Sequence, residues 1–226
     1  MVRIFVEGIH VIFKHLVKVG PSIPVQAFID KLSNLGFSYT TRKLMVPPLP
    51  QPVPQPPSEL VEYLFKRPSD ATSLIVVSEK GFVVDTRSVQ TALDLFWTSH
   101  GILRESLKER FKTIVPQMQL LATIQIYSEI SPLKMIQDML TPRLLKKKIT
   151  MKKVLSPMAI ELWTGIPKDE SEWYIVRLEP FKGDPFRRML MRITYKHQSV
   201  EEAVDFLEKL ETHSINLLQK IVKETK

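Results

Sequence analysis

Ser88-Val89-Gln90-Thr91-Ala92-Leu93-Asp94-Leu95-Phe96 returns 111 positions later as Ser199-Val200-Glu201-Glu202-Ala203-Val204-Asp205-Phe206-Leu207. The apolar residues of both copies fall on one stripe of a helix. The register then holds without a gap, since Leu107 and Phe111 stand opposite Leu218 and Val222. Each copy also follows two strand-like runs, Leu74–Val77 and Gly81–Thr86 before the first, Trp173–Phe181 and Arg188–Lys196 before the second. In the second copy Ser199 and Glu202 form a capping box, serine and glutamate each satisfying an exposed amide of the first turn. The spacing predicts an internal pseudo-repeat of two related strand–strand–helix halves. Strands gathered before long helices give an α+β class, with antiparallel sheet or sheets and long amphipathic helices on one face.

Outward from these halves, further strands are expected at Leu121–Ile130 and Met158–Thr164, a helix after Ser131-Pro132, and a short helix over Glu59–Phe65. Upstream, residues 47–57 hold seven prolines in eleven positions, which sustains neither a helix nor a central strand. Such a stretch is polyproline II, spanning roughly 30 Å at ~3.1 Å per residue. Before it, Phe5, Ile9, Ile12, Phe13, Leu16 and Val17 follow helical spacing to Gly20-Pro21, and a second helix begins near Ser22 with Val25, Phe28, Ile29 and Leu32 on one face. Three regions follow: a small helical N-terminal segment at 1–46, a proline-rich spacer at 47–58, and an α+β domain at 59–226.

The chain has 226 residues, no cysteine and two asparagines. Disulfides, thiolate zinc sites and thiol nucleophiles are excluded, and a reducing compartment is implied. No apolar run approaches the ~20 residues that span a bilayer, and Arg3, Glu7, His10, Lys14 and Lys18 interrupt the N-terminal apolar stretch. A cytoplasmic protein without membrane attachment is expected. The net charge of +8 is concentrated at the ends: residues 1–46 carry six Lys/Arg against two acids, residues 141–226 seventeen against twelve, while 59–140 are near balance. A basic surplus of this kind attracts phosphate backbones.

The stretch from Val25 to Leu44 resembles the helix-turn-helix of DNA-binding regulators: a helix ending in Leu32-Ser33-Asn34-Leu35, a turn glycine Gly36, an apolar Phe37, then Ser38-Tyr39-Thr40-Thr41-Arg42-Lys43-Leu44 opening a second helix. The resemblance implies that Ser38, Tyr39, Thr40 and Arg42 face a DNA groove, with Arg42 or Lys43 reaching guanine or phosphate. The family usually has a small alanine where Leu32 stands. A β-strand over Ser38–Val46, favoured by its Tyr, Thr and Val content, is the competing reading. Arg143, Lys146, Lys147, Lys148, Lys152 and Lys153 place six cations in eleven residues with no acid among them, a second phosphate-binding candidate. The element order over residues 74–223 is also loosely similar to that of an uncharacterised, sporadically distributed prokaryotic family. In that family one strand carries Arg-Tyr-Ile-Asn, where Ile124-Gln125-Ile126-Tyr127-Ser128 here keeps only the tyrosine.

Catalytic signatures are missing. Seven scattered glycines form no phosphate-cradling loop, and His10 and His15, five apart, miss the spacing that sets two ligands on one helical face. His100 lies on the apolar stripe of its helix and reads as a core histidine. No cofactor or metal is expected. Trp163, Trp173 and Tyr174, on adjacent predicted strands, are candidates to line a ligand cavity between sheet and helix. The sequence thus reads as a non-enzymatic nucleic-acid-binding or regulatory protein, a candidate homo-oligomer. The alternative is a small-molecule-binding α+β module.

Overall fold

The computed structural model describes residues 3–15, 21–46, 58–129, 131–136, 150–151, 153–154, 159–163 and 172–224. Among the described residues nine strands follow the order β2 (Ser38–Val46), β3 (Ser58–Arg67), β4 (Asp70–Ser78), β5 (Gly81–Thr86), β1 (Arg3–His15), β6 (Pro116–Tyr127), β11 (Arg188–His197), β10 (Glu172–Pro180) and β9 (Ile160–Trp163), and two short ones, β7 (Thr150–Met151) and β8 (Lys153–Val154), pair separately. Every pairing whose register is described is antiparallel. The chain divides into two compact units: Met1–Ile9, Leu120–His197 and Glu201–Lys226 form unit 1, while His10–Gln119 and Gln198–Val200 form unit 2. Strands β1 (Arg3–His15) and β6 (Pro116–Tyr127) therefore contribute to both.

In unit 2 the meander β2 (Ser38–Val46), β3 (Ser58–Arg67), β4 (Asp70–Ser78) and β5 (Gly81–Thr86) is built on period-two alternation. Ser73, Ile75 and Val77 of β4 are buried while Leu74, Val76 and Ser78 are only half-buried, so one face seats the helices. Helix α1 (Val25–Asn34) buries Phe28 and Leu32. It stops at Gly36, whose φ of +82° puts it in the left-handed region that glycine adopts without steric cost. Helix α2 (Val89–Leu107) is capped by Ser88, whose Oγ accepts from the Thr91 amide at 3.3 Å. It gives way to a 3-10 helix (Lys108–Thr113) where Lys108 takes φ +49°. The rings of Phe13 and Phe82 stack at 5.0 Å, and Phe28 and Phe96 lie 6.0 and 5.7 Å from Phe82. Each of these four is at most 1% exposed, and burying one such side chain contributes roughly 1.5–3 kcal/mol. The β4–β5 turn requires Gly81, because a Cβ there would lie 2.0 Å from the Phe13 carbonyl oxygen.

Unit 1 pairs β9 (Ile160–Trp163), β10 (Glu172–Pro180) and β11 (Arg188–His197), with β6 beside β11. Met189, Met191, Ile193 and Tyr195 of β11 are buried and alternate with Arg188, Leu190, Arg192 and Thr194 on the other face. Helix α3, of which 132–136 are described, buries Met135 and Ile136. Helices α4 (Val200–Glu208) and α5 (Leu210–Glu224) are separated at Lys209. Phe206 of α4 stacks on Tyr195 at 4.2 Å and meets Tyr174 edge-on at 5.5 Å.

The expected α+β class is corrected by this architecture. The nine-stranded antiparallel sheet dominates, and the helices are short: the stretch expected as one long helix from Ser88 to Phe111 ends at Leu107, and that from Ser199 to Val222 is divided at Lys209. The hairpin-then-helix order does occur as β4–β5–α2 and as β10–β11–α4. It is embedded in other strands, with β2 and β3 before one copy and β9 before the other, so each copy is part of a larger run of sheet. The small helical N-terminal segment is also corrected. Residues 3–15 are a strand whose Ile9, Val11, Phe13 and His15 are buried in alternation with His10, Ile12 and Lys14, and among the described residues before 46 only α1 is helical. Glu59–Phe65, expected as a helix, lies within β3. Residues 47–57, the core of the proline-rich spacer, lie outside the described residues.

Candidate nucleic-acid interface

Alternation on β1 leaves Arg3, Phe5 and Glu7 exposed between half-buried Ile4 and Val6. At the end of β6, Tyr127 follows the buried Gln125-Ile126 pair, and the Ser128 amide donates to the Arg187 carbonyl at 3.0 Å. That hydrogen bond ties β6 to the turn between β10 and β11. The turn is itself fixed: the Phe181 amide donates to the Arg188 carbonyl at 2.9 Å, the Asp184 amide to the Phe181 carbonyl at 3.0 Å, and the Arg188 amide to the Asp184 carbonyl at 2.9 Å. These elements enclose an open cleft of about 570 Å³ lined by Arg3, Phe5, Tyr127, Ser128, Glu129 and Arg187.

Aromatic rings and guanidinium groups are interleaved in this cleft. Phe5 meets Tyr127 edge-on with centroids 5.3 Å apart, and the Arg188 guanidinium lies over the Tyr127 ring at 4.7 Å and the Phe181 ring at 5.8 Å. A cation over a ring face at this distance contributes about 0.5–1 kcal/mol when exposed. Phe5 is 52% and Phe186 64% exposed, against the usual burial of large apolar side chains. Arg3, Arg187 and the neighbouring Lys182 have no ion-pair partner among the described residues. Farther along the same face of the sheet, Arg177 and Arg192 share the Glu179 carboxylate at 3.1 and 2.8 Å, two cations on one anion. Trp163, 59% exposed, donates its indole N–H to Glu161 at 2.8 Å. The face bears accessible rings and arginines, with Glu129 in the cleft and Arg188 paired with Asp184 at 3.7 Å.

The residues singled out from sequence fall elsewhere. Ser38, Tyr39, Thr40, Arg42 and Lys43 lie on β2, paired residue by residue with β3, so the helical reading of Ser38–Leu44 is corrected and the competing strand reading describes it. Their Tyr and Thr content and the cross-strand partners of β3 favour extended backbone. The cations of β2 are compensated: Arg42 pairs with Glu62, its cross-strand neighbour, and Lys43 with Glu59 at 2.8 Å, a contact that raises the Lys43 pKa. Tyr39 packs against Tyr63 and Phe65. In the basic block, Arg143, Lys146, Lys147, Lys148 and Lys152 lie outside the described residues, and only the backbone of Lys153, in β8, is described.

Trp163, Trp173 and Tyr174 do not enclose one cavity. Neighbours in a strand point to opposite faces, and Trp163 is paired with Ile175, which shares the face of Trp173. Tyr174 turns to the other face, against Phe206. His100 lies among the rings of Phe13, Phe96, Trp97 and Phe111, at centroid distances of 5.2 to 6.0 Å. No group of three or more metal-ligating side chains occurs among the described residues. No described helix is long and apolar enough to cross a membrane.

Phe5, Phe186, Arg3, Arg187 and Arg188 were not singled out from the sequence. The one local signal was Phe186-Arg187-Arg188, a ring next to two cations just beyond Asp184-Pro185. No protein-family model and no curated protein matches the chain.

Proposed function

We propose that this is a non-enzymatic protein that binds single-stranded nucleic acid on the arginine-and-ring face of unit 1. The observation that carries the reading is the cleft in which Arg3 and Arg187, without an ion-pair partner among the described residues, stand with Phe5, Tyr127 and Glu129, and Arg188 is held over the Tyr127 ring. Guanidinium groups neutralise phosphates and release counterions, while exposed rings offer π-faces to unpaired bases, each stack contributing about 1–3 kcal/mol. A duplex hides its base faces inside its own stack. Ser38–Leu44, the expected recognition helix, lies in strand β2 and cannot enter a groove as a helix. Single strands are therefore the substrate class that uses both parts of the site.

The test is fluorescence anisotropy with labelled oligothymidine, oligouridine and a duplex of equal length over a salt series. Single strands bind more tightly than duplex. Changing Arg3 and Arg187 together to Ala reduces the slope of log K against log salt by about 1.4, the value for two phosphate contacts on a single strand. Changing Phe5 and Phe186 to Ala lowers affinity with the slope unchanged. Absence of binding at low salt, or equal affinity for duplex and single strand, contradicts the reading.

A further inference from the structure

The face of unit 2 that carries no described helix has a groove of a different character. Val76 of β4 and Val83 of β5 are direct cross-strand partners, and with Leu60 of β3 and Ile12 of β1 they form a half-buried apolar floor. The groove above it is about 330 Å³, narrower and more enclosed than the cleft of unit 1. Its polar lining includes Lys14 and Lys80, both exposed, and Glu62, whose side chain is only 17% exposed. The carboxylate of Glu62 is neutralised by the Arg42 guanidinium at 2.5 Å, so it repels no anion. Neither lysine ammonium has a partner among the described residues. Two unpaired cations therefore stand at the rim of an apolar trough.

We infer that this groove binds an amphipathic monoanion, an alkyl chain ending in a carboxylate, with the chain on Val76, Val83, Leu60 and Ile12 and the head group at Lys14 and Lys80. Removing an alkyl chain from water over such a floor contributes roughly 25 cal/mol per Å² of apolar surface buried. The floor by itself does not choose among apolar tails. The charge does: a cationic head meets two like charges, a neutral head meets no counter-charge, and an anionic head is attracted by both ammonium groups. The volume sets the size, since ligand sites run from about 300 to 1,000 Å³, and this one, at the lower end, suits one medium-length chain. The inference is independent of nucleic-acid binding, because no lining residue is shared between the two sites.

Isothermal titration calorimetry with decanoate, decan-1-ol and decyltrimethylammonium, each below its micelle-forming concentration, tests the site. Decanoate binds one-to-one, about ten-fold or more tightly than decan-1-ol, and decyltrimethylammonium gives no saturable heat. Lys14→Glu with Lys80→Glu, changes at exposed side chains that leave the core untouched, abolishes the preference for decanoate over decan-1-ol. Val76→Thr, which keeps shape and adds a hydroxyl to the floor, weakens decanoate and decan-1-ol alike. Circular dichroism of each variant confirms the fold, and retained oligonucleotide binding by the Lys14/Lys80 variant separates this site from the unit 1 face. Equal binding of the three probes, decanoate binding unchanged by the double charge reversal, or heat only above the micelle-forming concentration overturns the inference.

Discussion

Both units lay a helix on a β-hairpin with aromatic rings at the contact, but Phe82 and Phe96 of unit 2 are sealed and Phe206 of unit 1 is not. In unit 2, Phe82 and Phe96 are 1% and 0% exposed, and the cations of β2 are paired with acids of β3. In unit 1, Phe206 is half-buried in a column of near-parallel rings running His197, Tyr195, Phe206 and His213, and Arg3 and Arg187 stand open beside exposed Phe5 and Phe186. A shared order of elements thus fixes where a helix packs and leaves open where a ligand binds. The site follows the uncompensated charges and unburied rings, in line with the general rule that function belongs to sites and not to scaffolds.

The sharpest break between the units is expected in their cores. Phe96→Ala empties a fully buried position among Phe82, Trp97 and His100 and should cost about 3–5 kcal/mol in urea unfolding. Phe206→Ala, at a half-buried position, should cost about half as much. Comparable losses would show that the ring column of unit 1 is as tightly packed as the core of unit 2. The turns come next. Gly81→Ala places a methyl against the Phe13 backbone oxygen and should cost about 2–3 kcal/mol. Gly183→Ala in the β10–β11 turn meets only the Phe181 ring, 3.0 Å away and able to shift, and should stay within about 0.5 kcal/mol.

Alkaline pH sharpens the comparison by a smaller amount. Burial raises the pKa of Tyr174 and Tyr195 in unit 1 from 10.0 to about 12, with the nearby acids Glu172, Glu202 and Asp205 adding to the shift of Tyr195. Between pH 10 and 12 the folded state then holds protons that the unfolded state has released, so stability is full below pH 10 and falls as pH rises through that window. Thermal melts monitored near Tyr195 should show this fall, and Tyr174→Phe with Tyr195→Phe should flatten it. A melting temperature independent of pH up to 12 would contradict the burial of these hydroxyls.

How far the sequence carried depends on whether a signal was local. The hairpin runs Leu74–Val77 and Gly81–Thr86, and the later runs Trp173–Phe181 and Arg188–Lys196, fall on β4, β5, β10 and β11, though β4 begins four residues earlier at Asp70, because apolar residues at strand spacing are written within each run. In β1 two periods overlap: Phe5, Ile9, Ile12, Phe13 and Leu16 fit a helix, while Ile9, Val11, Phe13 and His15 fit a strand. Pairing with distant β5 and β6 decided for the strand. Ser38–Leu44 and Glu59–Phe65 depended on each other in the same way, their cross-strand partners lying across the proline-rich stretch. The site was less legible than the fold. Arg42 and Lys43 drew notice as cations, yet their neutralisation by Glu62 and Glu59 appears only once β2 and β3 pair. The exposure of Phe5 and Phe186 is likewise a tertiary fact, and a phenylalanine reads as core in any sequence pattern.

The smallest expected effect concerns those compensated cations. Arg42→Ala should leave oligonucleotide affinity and its salt slope within error, since the Arg42 guanidinium is already held by the Glu62 carboxylate. A drop in affinity like that of the Arg3 and Arg187 change would move the interface to β2.

Photo-crosslinking locates the interface without relying on loss of function. A single-stranded oligonucleotide carrying 5-iodouracil, irradiated in complex with the protein and followed by peptide mass spectrometry, reports which rings lie against bases. The account predicts adducts on Phe5, Tyr127 or Phe186 in unit 1, lost on competition with unlabelled single strand and retained with duplex. Adducts confined to Tyr39 or Tyr63 in unit 2, or none at saturating oligonucleotide, would contradict it.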